Sequence, residues 1–211
     1  MTVQENAFEA ATRRLVEVQG ERLLRLAAAS IEHGLKHHRP LPIDLADFPP
    51  DLQAQGACFV TLHREDRLRG CIGSPMAHQP LARDVAENAF SAAFRDPRFP
   101  QLSSAEIAGL DLSISLLSAQ SPIPFADEAG LLAALRPHLD GLVIADGARR
   151  ALFLPSVWEQ LPDPRQFLGH LKMKAGMPVD HFSPAFRAWR FVALELKASA
   201  LPDPASLWSR P

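Results

Sequence analysis

Apolar residues recur with the period of a helix in several stretches of the chain. In the longest stretch, four of them fall on one face of a helix over residues 21–38, namely Leu24, Ala28, Ile31 and Leu35. Pro80, with Asp84 and Glu87 in the turns that follow, predicts a helix over residues 81–95, and further helices are predicted over residues 131–135 and 164–175, with a shorter one over residues 7–18. Prolines follow the first of these helices, and Gly176 follows the last, as expected at helix ends.

Short β-prone runs alternate with turn residues in the rest of the chain. The runs over residues 58–63 and 68–73 flank a charged turn, and those over residues 141–145 and 151–154 flank Asp146-Gly147. Further strands are predicted over residues 111–118 and, as one long final strand, over residues 187–197. Because the strands come in hairpins, the pattern predicts an α+β fold with a mainly antiparallel sheet packed by helices.

Length and composition narrow the function classes. A chain of 211 residues suits one domain, with residues 21–198 as its body, residues 1–20 as an N-terminal extension and residues 199–211 as an irregular tail. A net charge of -2 argues against non-specific nucleic-acid binding. With two cysteines, no signal peptide and no apolar run long enough to span a membrane, a cytoplasmic location is expected.

The segment of residues 68–74, with the sequence LRGCIGS, contains the strongest candidate chemistry. In an extended strand Arg69 and Cys71 project to the same face, and a guanidinium beside a thiol favours the reactive thiolate. Gly70 and Gly73 allow a ligand or another backbone to come close. The alternative interpretation is structural, because free cysteine is one of the most frequently buried residue types.

The hairpin register favours the structural interpretation of Cys71. If the hairpin closes symmetrically about Glu65 and Asp66, Cys71 lies opposite Val60 and diagonal to Cys58 on one face. Diagonal neighbours are roughly 7–8 Å apart, whereas a disulfide normally needs Cα atoms about 4.4–6.8 Å apart. A disulfide between the two cysteines is therefore disfavoured, and Cys71 is expected among apolar neighbours.

Asn88 lies on the apolar face of the helix that follows this hairpin. A buried amide must find hydrogen-bond partners, since leaving it unpaired costs roughly 1–3 kcal/mol. Asn88 is expected to bind the glycine-rich backbone of residues 70–73 or to face a cleft, and the structural role is the more frequent one.

Charged residues at the end of the same helix form a second candidate site. Arg95, Asp96 and Arg98 surround a proline, and their simplest role is an ion pair that stabilises the turn. Together with Arg69, the two other arginines could instead line a cationic cleft for a phosphate or carboxylate. The sequence predicts neither a metal site nor a cofactor.

Four segments, in order along the chain, resemble the AMMECR domain family. They are residues 68–74 (LRGCIGS), 84–99 (DVAENAFSAAFRDPRF), 151–158 (ALFLPSVW) and 167–176 (FLGHLKMKAG). Bacterial and archaeal members are designated protein A of the AmmeMemoRadiSam system. The resemblance extends over about residues 23–196 and implies an intracellular α+β domain with two unequal lobes. It also implies genomic association with a radical-SAM protein and a Memo-type protein.

Three functions are compatible with these observations. The resemblance favours an accessory protein acting with the radical-SAM and Memo-type partners, and it supplies no established reaction. The residues allow a thiol-dependent enzyme that uses Cys71 beside Arg69. They also allow a regulator that binds a nucleotide or another anionic small molecule through its arginines. Whether the chain is an enzyme is left open at this point.

Overall fold

The computed structural model describes residues 3–208, with side chains from residue 9 onwards. Five helices are present in this part of the chain: α1 (Val3–His37), α2 (Pro50–Gln53), α3 (Leu81–Phe94), α4 (Glu128–Ala134) and α5 (Pro164–Lys174). The strands are β1 (Gln55–Arg64), β2 (Arg67–Gly73), β3 (Gln79–Pro80), β4 (Leu110–Leu117), β5 (Ser121–Pro122), β6 (Gly141–Asp146), β7 (Arg149–Phe153), β8 (Arg187–Phe191) and β9 (Ala193–Lys197). The α+β class is therefore confirmed.

The described chain divides into two compact units. The larger unit contains residues 10–117 and the segment from residue 194 onwards, and the smaller unit contains residues 118–193 with the start of α1. Most of the predicted extension of residues 1–20 is thus the first half of α1. Residues 1–2 of that extension and residues 209–211 of the predicted tail lie outside the described residues.

Helix α1 is continuous where the sequence predicted two helices. Gly20 lies within the helix and does not interrupt it. A Cβ at that position would lie 2.8 Å from a δ-carbon of Leu196. The glycine therefore gives Leu196 room to pack against the helix. The predicted end is correct, because His38 has a φ of 55° and cannot continue an α-helix.

The larger unit is a sheet with the strand order β2-β1-β4-β9, to which β3 adds by pairing with β1. One face of this sheet forms the core with α1 and α3. Its central side chains are fully buried, among them Leu23, Ile31, Val60, Leu62, Leu112 and Ile114. The alternation of buried and half-exposed residues along β1 leaves the other face more open.

The smaller unit is a second sheet, in the order β5-β8-β6-β7, with α4 and α5. Trp158 and Phe167 stack at its centre with ring centroids 3.7 Å apart. The Trp158 indole N–H donates to the Asp140 carbonyl at 2.7 Å, so the buried ring has its one polar atom satisfied.

The prediction of one long final strand is wrong. The chain leaves β8 at Val192 and enters β9, and these two strands belong to different sheets. At Val192 the backbone N–H donates to the Ser118 hydroxyl and the carbonyl accepts from the Ser118 N–H, both at 2.9 Å. These two bonds replace strand pairing where the chain passes from one sheet to the other. The apolar pattern of the sequence does not reveal this break in the strand.

None of the helices in the described part of the chain is long and apolar enough to cross a membrane.

Helix α3 packs unusually closely on β2, because small residues meet at the contact. Its inward face is largely alanine, with Ala82, Ala86, Ala89, Ala92 and Ala93 all buried. Opposite them lies Gly70, where a Cβ would stand only 2.1 Å from the Ala92 carbonyl oxygen. The glycine is required at this position because backbone, rather than a movable side chain, occupies the space.

We therefore expect Gly70→Ala to destabilise the protein by roughly 1–3 kcal/mol, the usual effect of overpacking a core. The measurement is urea denaturation followed by far-UV circular dichroism. Gly130→Ala is the matched control, because its nearest neighbour is the end of the Asp127 side chain at 3.3 Å. The control should change stability by less than about 1 kcal/mol, the scale of helix propensity. Wild-type stability in Gly70→Ala would contradict the close contact.

Candidate functional site

The pairing register of the β1–β2 hairpin changes after the second residue pair from its loop. Close to the loop, His63 pairs with Leu68, as a symmetric hairpin requires. The next pair is Leu62 with Gly70, so Arg69 is an extra residue on β2. This is a β-bulge, in which two residues of one strand oppose a single residue of its partner.

The bulge moves Cys71 to the open face of the sheet. Cys71 lies opposite Thr61, not opposite Val60, and Cys58 lies on the other face among core residues. The predicted register, with both cysteines on one apolar face, is therefore wrong. The physical reason is that a slip of one residue in a strand reverses the face of every following side chain.

Cys71 is half-buried, in contrast to the fully buried Cys58. The Thr61 hydroxyl donates to the Cys71 sulfur at 3.3 Å. The neighbouring Gly73 is covered by the ring of Phe59, which a Cβ at that position would meet at 2.3 Å. Protein atoms therefore fill the space beside both glycines of the segment, and the thiol shares the open face with Thr61 and Phe59.

The backbone of Cys71 is held by two side chains from the end of α3. β2 is an edge strand, so the peptide groups that point away from β1 have no neighbouring strand. Asp96 accepts the Cys71 N–H at 2.9 Å, and an Arg98 Nη donates to the Cys71 carbonyl at 3.2 Å. Asp96 and Arg98 therefore take the place of the missing strand at this residue.

Asp96 and Arg98 also bind each other. The Arg98 guanidinium donates to both carboxylate oxygens of Asp96, at 2.9 and 2.7 Å. These hydrogen bonds, with the N–H groups of Cys71 and Arg98, hold the pKa of Asp96 well below its usual range even though its burial opposes this. The carboxylate is therefore a permanent acceptor for the Cys71 backbone at neutral pH.

Arg69 forms a second ion pair. Its guanidinium donates to Glu106 at 2.7 and 3.3 Å, and Glu106 also accepts the N–H and hydroxyl of Ser103. The hydrogen bond from Arg69 is the main reason why the pKa of Glu106 falls from its ordinary 4.5 to about 2. Arg69 is buried, and it binds Glu106 and not the thiol.

Two of the arginines expected to line a cationic cleft, Arg69 and Arg98, are in ion pairs. Arg69 is paired with Glu106 and Arg98 with Asp96, so both charges are largely neutralised. Arg95 is exposed and lies over the Phe90 ring at 4.9 Å from its centroid. These placements disfavour an anion site made of the three arginines.

Asn88 is hydrogen-bonded within the protein, but not to the backbone of residues 70–73 that the sequence suggested. Its amide donates to the Cys58 carbonyl at 3.2 Å, to the Ser74 hydroxyl at 3.3 Å and to Asp84 at 3.0 Å. Asp84 is itself fully buried and accepts the Cys58 N–H and the Ser74 hydroxyl. Burial, followed by the charge of Asp84, raises the pKa of the Cys58 thiol. This network fastens the hairpin to α3.

The smaller unit contains a cluster that the sequence did not reveal. Asp146 accepts a hydrogen bond from Ser183 at 2.6 Å and contacts the His181 ring nitrogen at 2.6 Å. The hydrogen bond from Ser183, and then that from His181, lowers the pKa of Asp146. Both partners bind the same carboxylate oxygen, so the histidine does not lie between serine and aspartate as a catalytic triad requires. In the sequence, Asp146 is recognisable only as a turn residue.

Comparisons with known proteins agree on one family. The sequence model of the AMMECR1 family matches residues 24–196. A protein of Methanothermobacter thermautotrophicus is 36% identical over 177 residues, covering 83% of this chain and 92% of the relative. Protein MJ0810 of Methanocaldococcus jannaschii is 34% identical over 185 residues, covering 86% and 90%. The crystal structure of uncharacterized protein PH0010 from Pyrococcus horikoshii superposes with a TM-score of 0.68 at 32% identity, covering 83% of this chain and 89% of that one.

The Arg69–Glu106 pair predicts a specific pH dependence of stability. The pKa of Glu106 is lower in the folded protein, so its contribution is present above about 4.5 and is lost as the pH falls towards about 2. We expect Glu106→Gln to lower stability at pH 7 by about 1–3 kcal/mol and to flatten the stability profile over that interval. Urea denaturation at a series of pH values measures both effects. Glu159→Gln, at an exposed position, should reproduce the wild-type profile; an unchanged profile in Glu106→Gln would refute the assignment.

Proposed function

The chain belongs to the AMMECR1 family, and we propose that it acts as an accessory protein beside a radical-SAM protein and a Memo-type protein. In this role it presents the Cys71 thiol to a partner or to a shared substrate. The observation that supports the proposal most directly is the placement of Cys71, half-exposed on the open face of a sheet whose other face is the core. The choice of partners follows from the family resemblance.

The rigidity of the Cys71 backbone supports a presenting role. Asp96 binds the Cys71 N–H and Arg98 binds the Cys71 carbonyl. The preceding residue, Gly70, packs directly against the backbone of α3. A group that is held in one position before binding loses less conformational freedom when a partner docks. The thiol is thus positioned by the fold and needs no loop closure to reach its place.

The neighbours of the thiol also favour an accessory role over independent catalysis. An enzyme that uses a cysteine nucleophile pairs it with a base, commonly a histidine. Here the sulfur contacts the Thr61 hydroxyl and interacts with the Arg98 guanidinium, and neither group is such a base. The remaining chemistry is therefore expected to come from a partner or from the substrate.

A thiol-dependent enzyme is the second candidate, and the Thr61 contact is the observation that favours it. The hydroxyl donates to the sulfur and so stabilises negative charge that develops there. This activity needs an accessible thiol, and so does the accessory role, which makes the accessibility of Cys71 the first property to measure.

Native alkylation measures that accessibility. With iodoacetamide at neutral pH, we expect Cys71 to react at least about tenfold faster than Cys58, which is fully buried and whose thiol pKa is raised. Peptide mass mapping assigns the modified residue, and Cys71→Ser should abolish the fast phase. A native protein in which Cys71 stays unmodified would exclude both functions that depend on the thiol.

Co-purification tests the accessory role itself. The tagged wild-type chain should co-purify with the radical-SAM protein and the Memo-type protein when all three are co-expressed. Cys71→Ser should keep the native fold and change the metabolite profile of the strain, whereas Met173→Ala, a change at an exposed residue of the smaller unit, should not. Failure of the wild type to co-purify would count against the partners, and an unchanged profile in Cys71→Ser would remove the thiol from the mechanism.

A further inference from the structure

We propose that a cavity in the larger unit binds a small organic anion with a flat, apolar body. The cavity has a volume of about 660 Å³ and lies between the last turns of α1, residues 104–110 and residues 204–208. Its apolar lining includes Leu35, Ile107, Leu110, Pro204, Ala205 and Trp208. This site is separate from Cys71, and the inference does not depend on the accessory role.

The size and lining of the cavity are those of a ligand site. Pockets for small molecules in proteins generally measure about 300–1,000 Å³ and are mostly apolar, with a few polar groups that orient the ligand. In this cavity the polar lining side chains are Glu32, Lys36 and Ser104. A ligand of about the size of two fused or linked aromatic rings fits such a volume.

Two features favour a flat ligand. Trp208 is half-buried at the wall and offers an aromatic surface for stacking. Gly109 has a φ of 87°, and nothing lies within 4 Å of the position that a Cβ would take. Because Gly109 lines the cavity without a side chain, a planar molecule can approach its backbone.

The charges at the rim favour an anion. The Lys36 ammonium is exposed and has no ion-pair partner among the described residues, whereas Glu32 has an interaction of its own. Arg39, three residues further along the chain, is exposed and also carries a positive charge at neutral pH. A carboxylate or sulfonate beside Lys36 would therefore be attracted by its charge while the rings lie against the apolar lining.

The wall formed by residues 104–110 is held in place by the Arg69–Glu106 pair. Glu106 lies between two lining residues of this wall and also accepts the Ser103 N–H and hydroxyl, which closes a capping box. This wall is thus formed before a ligand arrives, and binding should cost little reorganisation there.

The probe for this site is 8-anilinonaphthalene-1-sulfonate, a flat aromatic anion that fluoresces when it enters an apolar pocket. At neutral pH we expect the native full-length chain to bind one equivalent with a micromolar dissociation constant. The uncharged N-phenyl-1-naphthylamine should bind at least about fivefold more weakly, because it lacks the group that Lys36 attracts. Equal affinity for the two compounds would overturn the assignment of an anion.

Matched variants locate the probe. Ala108→Trp fills the cavity and should weaken binding at least about tenfold, whereas Ala105→Trp, in the same segment but outside the lining, should change it less than about twofold. Ala108→Leu is a smaller obstruction for the case in which the tryptophan disturbs folding, and it should weaken binding in the same direction. Unchanged affinity in folded Ala108→Trp or Ala108→Leu would place the probe elsewhere and overturn the proposal.

Charge and shape are tested separately. Lys36→Gln should weaken binding about three- to tenfold, and Lys197→Gln, an exposed lysine outside the cavity, should have no such effect. In competition, 1-naphthoate should displace the probe at lower concentration than decanoate. Stronger displacement by decanoate would show that the cavity prefers an extended chain and would overturn the flat-body assignment.

Discussion

Arg69 occupies an extra position in β2, and its guanidinium is held by Glu106. The bulge places Gly70 against the Ala92 carbonyl and turns Cys71 to the open face of the sheet. The ion pair in turn fixes residues 103–106, which lead into one wall of the cavity in the larger unit. The Arg69 guanidinium is thus engaged mainly within the fold, through the two hydrogen bonds that it donates to Glu106.

Charged side chains also cover the exposed edge of the sheet at β2. Edge strands offer unpaired peptide groups that invite unwanted pairing, and proteins commonly cover them with charged side chains. At Cys71 this cover is the Asp96–Arg98 pair, which binds the N–H and the carbonyl of the same residue. The N–H and carbonyl of Cys71 are therefore not available to pair with another strand, while its side chain is half-exposed. Any partner is thus directed to the sulfur rather than to the backbone.

The sequence predicted the fold class, the main helices and the hairpins, because those depend on periodicity and on turn residues that are local. It did not predict the face of Cys71, because a bulge depends on whether Gly70 can reach the backbone of α3, a contact between segments that are distant in the chain. The pairing of Arg69 with Glu106 was missed for the same reason, since the two lie 37 residues apart. The position of Asn88 on an apolar helical face indicated that it needs hydrogen-bond partners, but its actual partners, Cys58, Ser74 and Asp84, are set by tertiary contacts that periodicity does not show.

The distribution of charge around Cys71 also bears on how a protein of this family could act. Asp96, Arg98, Arg69 and Glu106 all lie near the LRGCIG segment, yet each is engaged in holding backbone or in an ion pair. The thiol contacts the Thr61 hydroxyl and interacts with the Arg98 guanidinium, and neither group is a base that could take its proton. Such a residue can bind, be modified or accept a group only when another molecule supplies the remaining chemistry. This dependence is the physical argument for a protein that works beside catalytic partners rather than alone.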